Sequence, residues 1–155
     1  MATREKFVDY RYEECGLDYV TIRNMRVLVD DSGEETYCLP NITSLHKLIA
    51  ASLIMRRHGL LGQELRFLRT ELGLTQAELG QLVKKDHQTI GRWERGETPI
   101  DENAEVVIRT YAAEALNIPR EASIEELARR CVPSAEIETI EIDGSNPDNY
   151  RRLAA

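Results

Sequence analysis

Residues 74–96, LTQAELGQLVKKDHQTIGRWERG, constrain the fold of this 155-residue chain more than any other segment. Just upstream, Leu61, Leu65, Leu68 and Leu72 stand at i, i+4, i+7 and i+11, one apolar face of a helix, and Gly73 supplies a left-handed exit after Leu72. Thr75-Gln76-Ala77-Glu78 reads as a capping box, in which the threonine hydroxyl accepts from a first-turn N–H while Glu78 reaches back to the N–H of Thr75. A second helix therefore starts here and runs to about Val83, burying Ala77, Leu79 and Leu82. Lys84-Lys85 make a short polar turn, and Asp86 is an N-cap for a third helix over 87–95 that Gly96 ends. Ile90 and Trp93, three apart, face inward, which turns His87, Gln88, Gly91 and Arg92 outward.

Two short helices joined by a tight turn, the second exposing His, Gln and Arg, make a helix-turn-helix whose outer face fits a DNA major groove. The amide of Gln88 can read adenine N6 and N7 bidentately, and the guanidinium of Arg92, one turn on, can read guanine O6 and N7. Past Pro99, residues 101–116 begin at an acidic cap and place Ala104, Val107, Ile108, Tyr111, Ala112 and Ala115 on one stripe. That is more apolar surface than a four-helix module uses internally. A homodimer with contacts at Val107, Ile108, Tyr111 and Ala115 is therefore expected, and with it a palindromic double-stranded operator.

The flanks have other periods. Residues 10–39 alternate with period two, clearest in Val20-Thr21-Ile22-Arg23 and over 26–29, with a turn at Asp31-Ser32-Gly33, which predicts a small antiparallel meander. Pro40 closes it, and Leu45, Leu48, Ile49, Ser52 and Leu53 then recur at helical spacing up to Arg56-Arg57-His58-Gly59, predicting a helix over 44–57 that covers the sheet. After Pro119 come a short helix over 123–130, a last strand suggested by Ile137, Ile140 and Ile142, and a frayed polar tail over 143–155. The expected class is α+β: a small α+β module at 1–58, an all-α helix-turn-helix domain at 59–118, and a helix, strand and tail at 119–155.

A formal net charge of -7 is at odds with a DNA-holding segment until the charges are placed. Residues 56–99 hold eight Lys/Arg against six Asp/Glu, and the rest of the chain twelve against twenty-one. Phosphate neutralisation is local, and net charge is screened over about 8 Å in cellular salt, so a basic reading surface can bind while the acidic remainder repels non-specific DNA. No apolar run approaches the roughly 18 residues needed to span a bilayer, and MATREKFVDY is too charged for a signal-peptide core, so a cytoplasmic protein without a membrane partner is expected. Cys15, Cys38 and Cys131 are scattered and form no C-x-x-C pair, so neither a metal site nor another cofactor is expected. Catalysis is not expected either: Cys15 and His46 are the only tempting nucleophile and base, with no orienting acid evident. Ligand or redox sensing through the N-terminal module, at Cys15 or Cys38, stays open as an alternative.

At Leu68-Arg69, Gly73-Leu74-Thr75-Gln76, Glu78-Leu79 and Trp93-Glu94-Arg95-Gly96 the chain resembles the Cro/repressor-like (XRE) helix-turn-helix family, with its lambda-repressor-like fold. The resemblance implies that His87, Gln88 and Arg92 occupy base-reading positions, that Gln76 anchors to a phosphate or reaches a base, and that Thr89 and Arg95 touch the DNA backbone. It also implies a structural ion pair between Arg69 and Glu94, and dimers paired near the helix over 101–116. The turn departs from the family pattern: Lys84-Lys85-Asp86 stands where Gly-Val-Ser is usual, which puts Lys84 and Lys85 within reach of phosphate. Upstream, Tyr12-Glu13-Glu14-Cys15-Gly16-Leu17-Asp18, Leu39-Pro40-Asn41-Ile42 and Leu45-His46 are similar to MqsA-type antitoxins and YgiT-like regulators. The paired cysteine ligands of their zinc module are absent here. A stand-alone repressor is therefore the leading expectation, with an antitoxin that neutralises a toxin protein and autoregulates its operon as the alternative.

Overall fold

A computed structural model describes residues 3–120, 122–134 and 137–153. In chain order these form β1 (Arg4–Arg11), β2 (Val20–Val29), β3 (Glu35–Tyr37), α1 (Ile42–Ile54), α2 (Gly62–Glu71), α3 (Gln76–Val83), α4 (His87–Glu94), α5 (Glu102–Ala115), α6 (Ile124–Arg130), β4 (Ile140–Asp143) and β5 (Arg151–Arg152). The class is α+β. The chain separates into two compact units, Met1–Ile49 with Ile137–Ala155, and Ala50–Glu136, the division falling within α1. The three consecutive segments expected from the sequence are thus regrouped: α6 belongs to the helical unit, and β4 and β5 to the sheet unit.

The sheet unit is organised on β2. Val20, Ile22, Met25, Val27 and Val29 are all buried, a set that strict alternation could not keep on one face. A bulge at Asn24 resolves this: the pairing with β1 steps from Val8↔Met25 to Tyr10↔Ile22, and the extra residue of β2 restores the side-chain parity. Asn24 sits at φ 57, and Asp9 clamps the site, accepting from the Asn24 N–H at 3.3 Å and from Arg23 Nη1 at 2.8 Å. The turn after β2 is an Asx type, with Asp30 Oδ1 accepting from the N–H groups of Ser32 and Glu34, each at 2.9 Å. Tyr12, itself buried, meets His46 Nε2 through its hydroxyl at 2.7 Å.

Two expectations for this unit are corrected. The sheet is more than an antiparallel meander, because β4 from the far end of the chain pairs parallel to β2 over Val20–Arg23, and β5 then pairs antiparallel to β4. The tail does not fray over its described part: Tyr150 is buried with its hydroxyl donating to Pro40 O at 2.5 Å, and Asn41 Nδ2 donates to Pro147 O at 2.9 Å. Hydrophobic period alone missed this segment, since Tyr150 is its one large apolar anchor before Leu153. Ile137, expected within the strand, lies outside it and is exposed.

The helical unit buries Leu65, Leu68, Leu79, Ile90, Trp93, Ile108 and Ala112, each large aliphatic side chain stabilising by about 1.5–3 kcal/mol relative to exposure. Beside this core lies a set of buried charges. Arg56 pairs with Glu64, Arg109 pairs with Glu105 at 3.2 Å, and Arg109 also donates to the carbonyls of Arg56, at 2.8 Å, and His58. Glu105 Oε1 accepts from the Leu60 N–H at 3.0 Å, and Glu64 Oε1 from the Leu61 N–H at 2.7 Å. Burial raises the pKa of Glu105 and lowers that of Arg109, and it pushes the nearby Cys131 thiol up to about 12. These bonds occupy backbone groups of Arg56, His58, Leu60 and Leu61, between α1 and α2. Helix α1 ends at Ile54 instead of Arg57, and Arg56 is buried. Ala77, expected in the core, is exposed, and the buried neighbour of Leu79 is Gly80.

Candidate nucleic-acid interface

Three caps set the frame of α3 and α4. Thr75 Oγ1 accepts from the Glu78 N–H at 3.1 Å while Glu78 Oε1 accepts from the Thr75 N–H at 3.2 Å, the reciprocal box expected from the sequence. At the other end of α3, Lys84 takes the left-handed conformation, φ 61 and ψ 41, that glycine usually supplies, and the Lys85 N–H returns to Gly80 O at 2.9 Å. The chain turns so tightly that a Cβ on Gly80 would collide with Lys85 O. Asp86 then caps α4, its Oδ1 accepting from the Thr89 N–H at 2.7 Å. That bond, then the Thr89 hydroxyl and more weakly the charges of Arg92 and His87, hold the Asp86 carboxyl below its ordinary pKa.

Helix α4 is sharply two-sided. Ile90, Gly91 and Trp93 are buried, whereas His87, Gln88 and Arg92 are exposed, as are Lys84 and Lys85 in the turn; Thr89 is half-buried. Gly91 is a correction, because it does not lie on the outer face between Gln88 and Arg92. A Cβ there would meet Arg95 Nη1 at 2.9 Å and Gln76 Oε1 at 3.5 Å, so the missing side chain makes room for those two residues.

Behind α4, Arg69 Nε and Nη2 donate to Glu94 Oε2 and Oε1 at 2.6 and 3.0 Å, a bidentate fork, and Nη1 donates to Leu74 O at 2.9 Å. The fork joins α2 to the end of α4, and Glu94 raises the pKa of Arg69. Gln76 Nε2 adds a bond to Glu94 Oε1 at 3.1 Å, so this expected DNA contact is oriented by the ion pair. Arg95 is drawn toward Glu97, its Nε donating at 2.9 Å. Arg66, Arg69, Gln76 and Arg95 line a shallow hollow of about 280 Å³, floored by Gly91. Arg66 was not anticipated. Its sequence signal was available: it precedes Arg69 by three residues on α2 and so shares its side of the helix.

The acids of this region are largely engaged internally, Glu64 with Arg56, Glu94 with Arg69, Glu97 with Arg95, and Glu78 and Asp86 as caps. The exposed side of the turn and of α4 is left with Lys84, Lys85 and Arg92. On α5, Val107 is 42% exposed, Tyr111 is half-buried and Ala115 is exposed. Ile108, expected at a dimer contact, is 1% exposed and belongs to the core, because α5 turns its Ala104-Ile108-Ala112 row inward.

Residues 60–116 match the family model of a helix-turn-helix domain, which supports a DNA-binding regulator in general. No curated protein and no solved structure matches the chain. Among the described residues, no helix is long and apolar enough to cross a membrane.

Proposed function

We propose that this chain is a sequence-specific, non-catalytic transcriptional regulator, a cytoplasmic dimeric repressor that places α4 in the major groove of a palindromic operator. The observation that carries the reading is the two-sidedness of α4: Ile90 and Trp93 anchor one side in the core while His87, Gln88 and Arg92 stand exposed on the other. Gln88 pairs with an adenine edge and Arg92 with a guanine edge, each bidentately, and His87 stands at the N-terminal end of α4, which meets the base edges first. Lys84 and Lys85 neutralise phosphate beside the turn, with Thr89 and Arg95 also toward the backbone. Gln76 turns to phosphate from Glu94, which keeps its Arg69 partner. The strip of Val107, half-buried Tyr111 and Ala115 meets its copy across a two-fold axis, setting recognition helices about 34 Å apart, one turn of DNA.

Selection of bound fragments from a random duplex pool tests this reading, and an inverted repeat with half-sites one or more helical turns apart is the expected outcome. Arg92→Ala then costs about 1–3 kcal/mol per half-site and relaxes preference at one base pair. Lys85→Ala weakens all sequences alike and flattens the salt dependence. Unchanged preference in Arg92→Ala would refute the groove orientation. A monomer in sedimentation at micromolar concentration, binding single half-sites, would refute the dimer. Co-purification of a small toxin encoded beside the gene would shift the reading to an autoregulating antitoxin.

A further inference from the structure

The helical unit carries a second polar hollow that the reading of DNA does not use. A groove of about 400 Å³ runs between the segment after α1 and helix α6, with Ile54, Met55 and Leu127 as its floor and Arg57, Arg120 and Arg130 at its rim. Its volume falls in the range of small-molecule sites, roughly 300–1,000 Å³. In a chain of net charge -7, the described lining residues of this groove include three arginines and one carboxylate, Glu126. That carboxylate is already bound by Arg130 Nη2 at 2.8 Å, while Arg130 Nη1 donates to Met55 O at 3.2 Å. Arg130 is thereby fixed as one wall of the groove, and Arg57 and Arg120 are exposed at its mouth.

We propose that this groove binds a small anion with an apolar body, a carboxylate or phosphate monoester carrying a short hydrocarbon chain. The guanidinium fork matches the two oxygens of a carboxylate or phosphate, and Arg57 and Arg120 supply two such forks that Glu126, bound to Arg130, does not neutralise. The floor rewards a hydrocarbon chain at about 0.8 kcal/mol per buried methylene, which selects against inorganic anions of equal charge. The groove is built before any ligand arrives: Ser123 caps α6 at the Glu126 N–H, 3.2 Å, and Arg130 ties the C-terminal end of that helix to the chain after α1. Binding here needs no DNA, so the proposal stands or falls apart from the operator reading.

The test is calorimetric titration of the full chain with hexanoate, hexyl phosphate, hexanol, hexylamine and inorganic phosphate, repeated on Arg57→Gln/Arg120→Gln. Both substituted residues are exposed, and circular dichroism and melting temperature establish that the variant folds. Saturable binding of hexanoate or hexyl phosphate is expected, with the tighter of the two identifying the head group, and the double substitution weakens it at least tenfold. Hexanol, hexylamine and inorganic phosphate bind at least tenfold more weakly than the better of the two. Equal binding of hexanol or inorganic phosphate, no binding of either chain-bearing anion, or affinities untouched by the double substitution would each overturn the proposal. So would a double variant that loses only its affinity for short duplex DNA, which would make these arginines backbone contacts.

Discussion

Among the described residues, the non-glycine positions with positive φ are Asn24, Asn41, Asn117 and Lys84. Asparagine tolerates this region through local hydrogen bonding, but lysine has no such compensation, and the left-handed conformation costs an ordinary L residue about 1–2 kcal/mol. Part of that returns as unfolded-state entropy when glycine is introduced, so Lys84→Gly is expected to stabilise by about 0.5–1 kcal/mol in urea denaturation, whereas Lys84→Ala, which keeps a Cβ, does not. The glycines separate by what surrounds them. A Cβ on Gly62 or Gly80 runs into backbone, the carbonyls of Trp93 and Glu94 in one case and of Lys85 in the other, whereas on Gly91 it meets the movable end of Arg95. Gly62→Ala and Gly80→Ala should therefore each cost about 1–3 kcal/mol by the same measurement. Gly91→Ala should fall within about 1 kcal/mol of wild type, because the helix-propensity gain offsets the shift of Arg95.

At the scale of the element, α4 depends on its cap. Asp86 is favoured in its ionised form by the Thr89 N–H and hydroxyl, so its folded pKa lies below that of a free aspartate. Its contribution is complete about one unit above the unfolded value, near pH 5, and is lost as pH falls through the lower folded value. The stability gap between wild type and Asp86→Ala, from urea denaturation at a series of pH values, should be constant from neutrality down to about pH 5 and narrow below that. A gap independent of pH would mean that the carboxylate charge plays no part in the cap. This cap, the Thr75–Glu78 box and the inward Ile90 and Trp93 were readable because they involve neighbours three or four apart, where spacing dictates geometry. Gly91 lies inward because Arg95 and, from another helix, Gln76 both close over it, and the second of these has no trace in local spacing. Ile108 was misassigned because an apolar stripe on α5 does not say which of its rows the rest of the domain covers. The burial of Arg56 and Arg109 had no signal at all, since a charged residue reads as surface until a partner 8 or 4 positions away, and a set of carbonyls, are brought to it.

At the scale of the whole molecule, the sheet holds strands from both ends of the chain, with β4 paired to Val20, Thr21, Ile22 and Arg23 of β2. Pairing between segments more than a hundred residues apart leaves no trace in local periodicity, which is why the tail was read as frayed and the last strand as separate. A chain cut after residue 136 should keep amide-exchange protection in α2, α3 and α4 and lose it at Thr21 and Arg23, whose N–H groups lie on the β4 side of β2, while Val20 and Ile22 face β1. Retained protection at Thr21 and Arg23 would mean that β4 adds nothing to β2.

The same topology imposes an order in time. The unit Ala50–Glu136 is one uninterrupted stretch of chain, whereas the other unit is split into an opening piece and a closing piece. In order of synthesis the uninterrupted unit is complete at residue 136, while the split one still waits for its last strands, the first of which starts at Ile140. Between those two moments β2 presents bare backbone along the stretch that β4 will occupy, a template open to any passing strand. The nascent chain therefore completes its helical unit before it is safe from aggregation, and residues 140–152 act as the closure that ends that exposure.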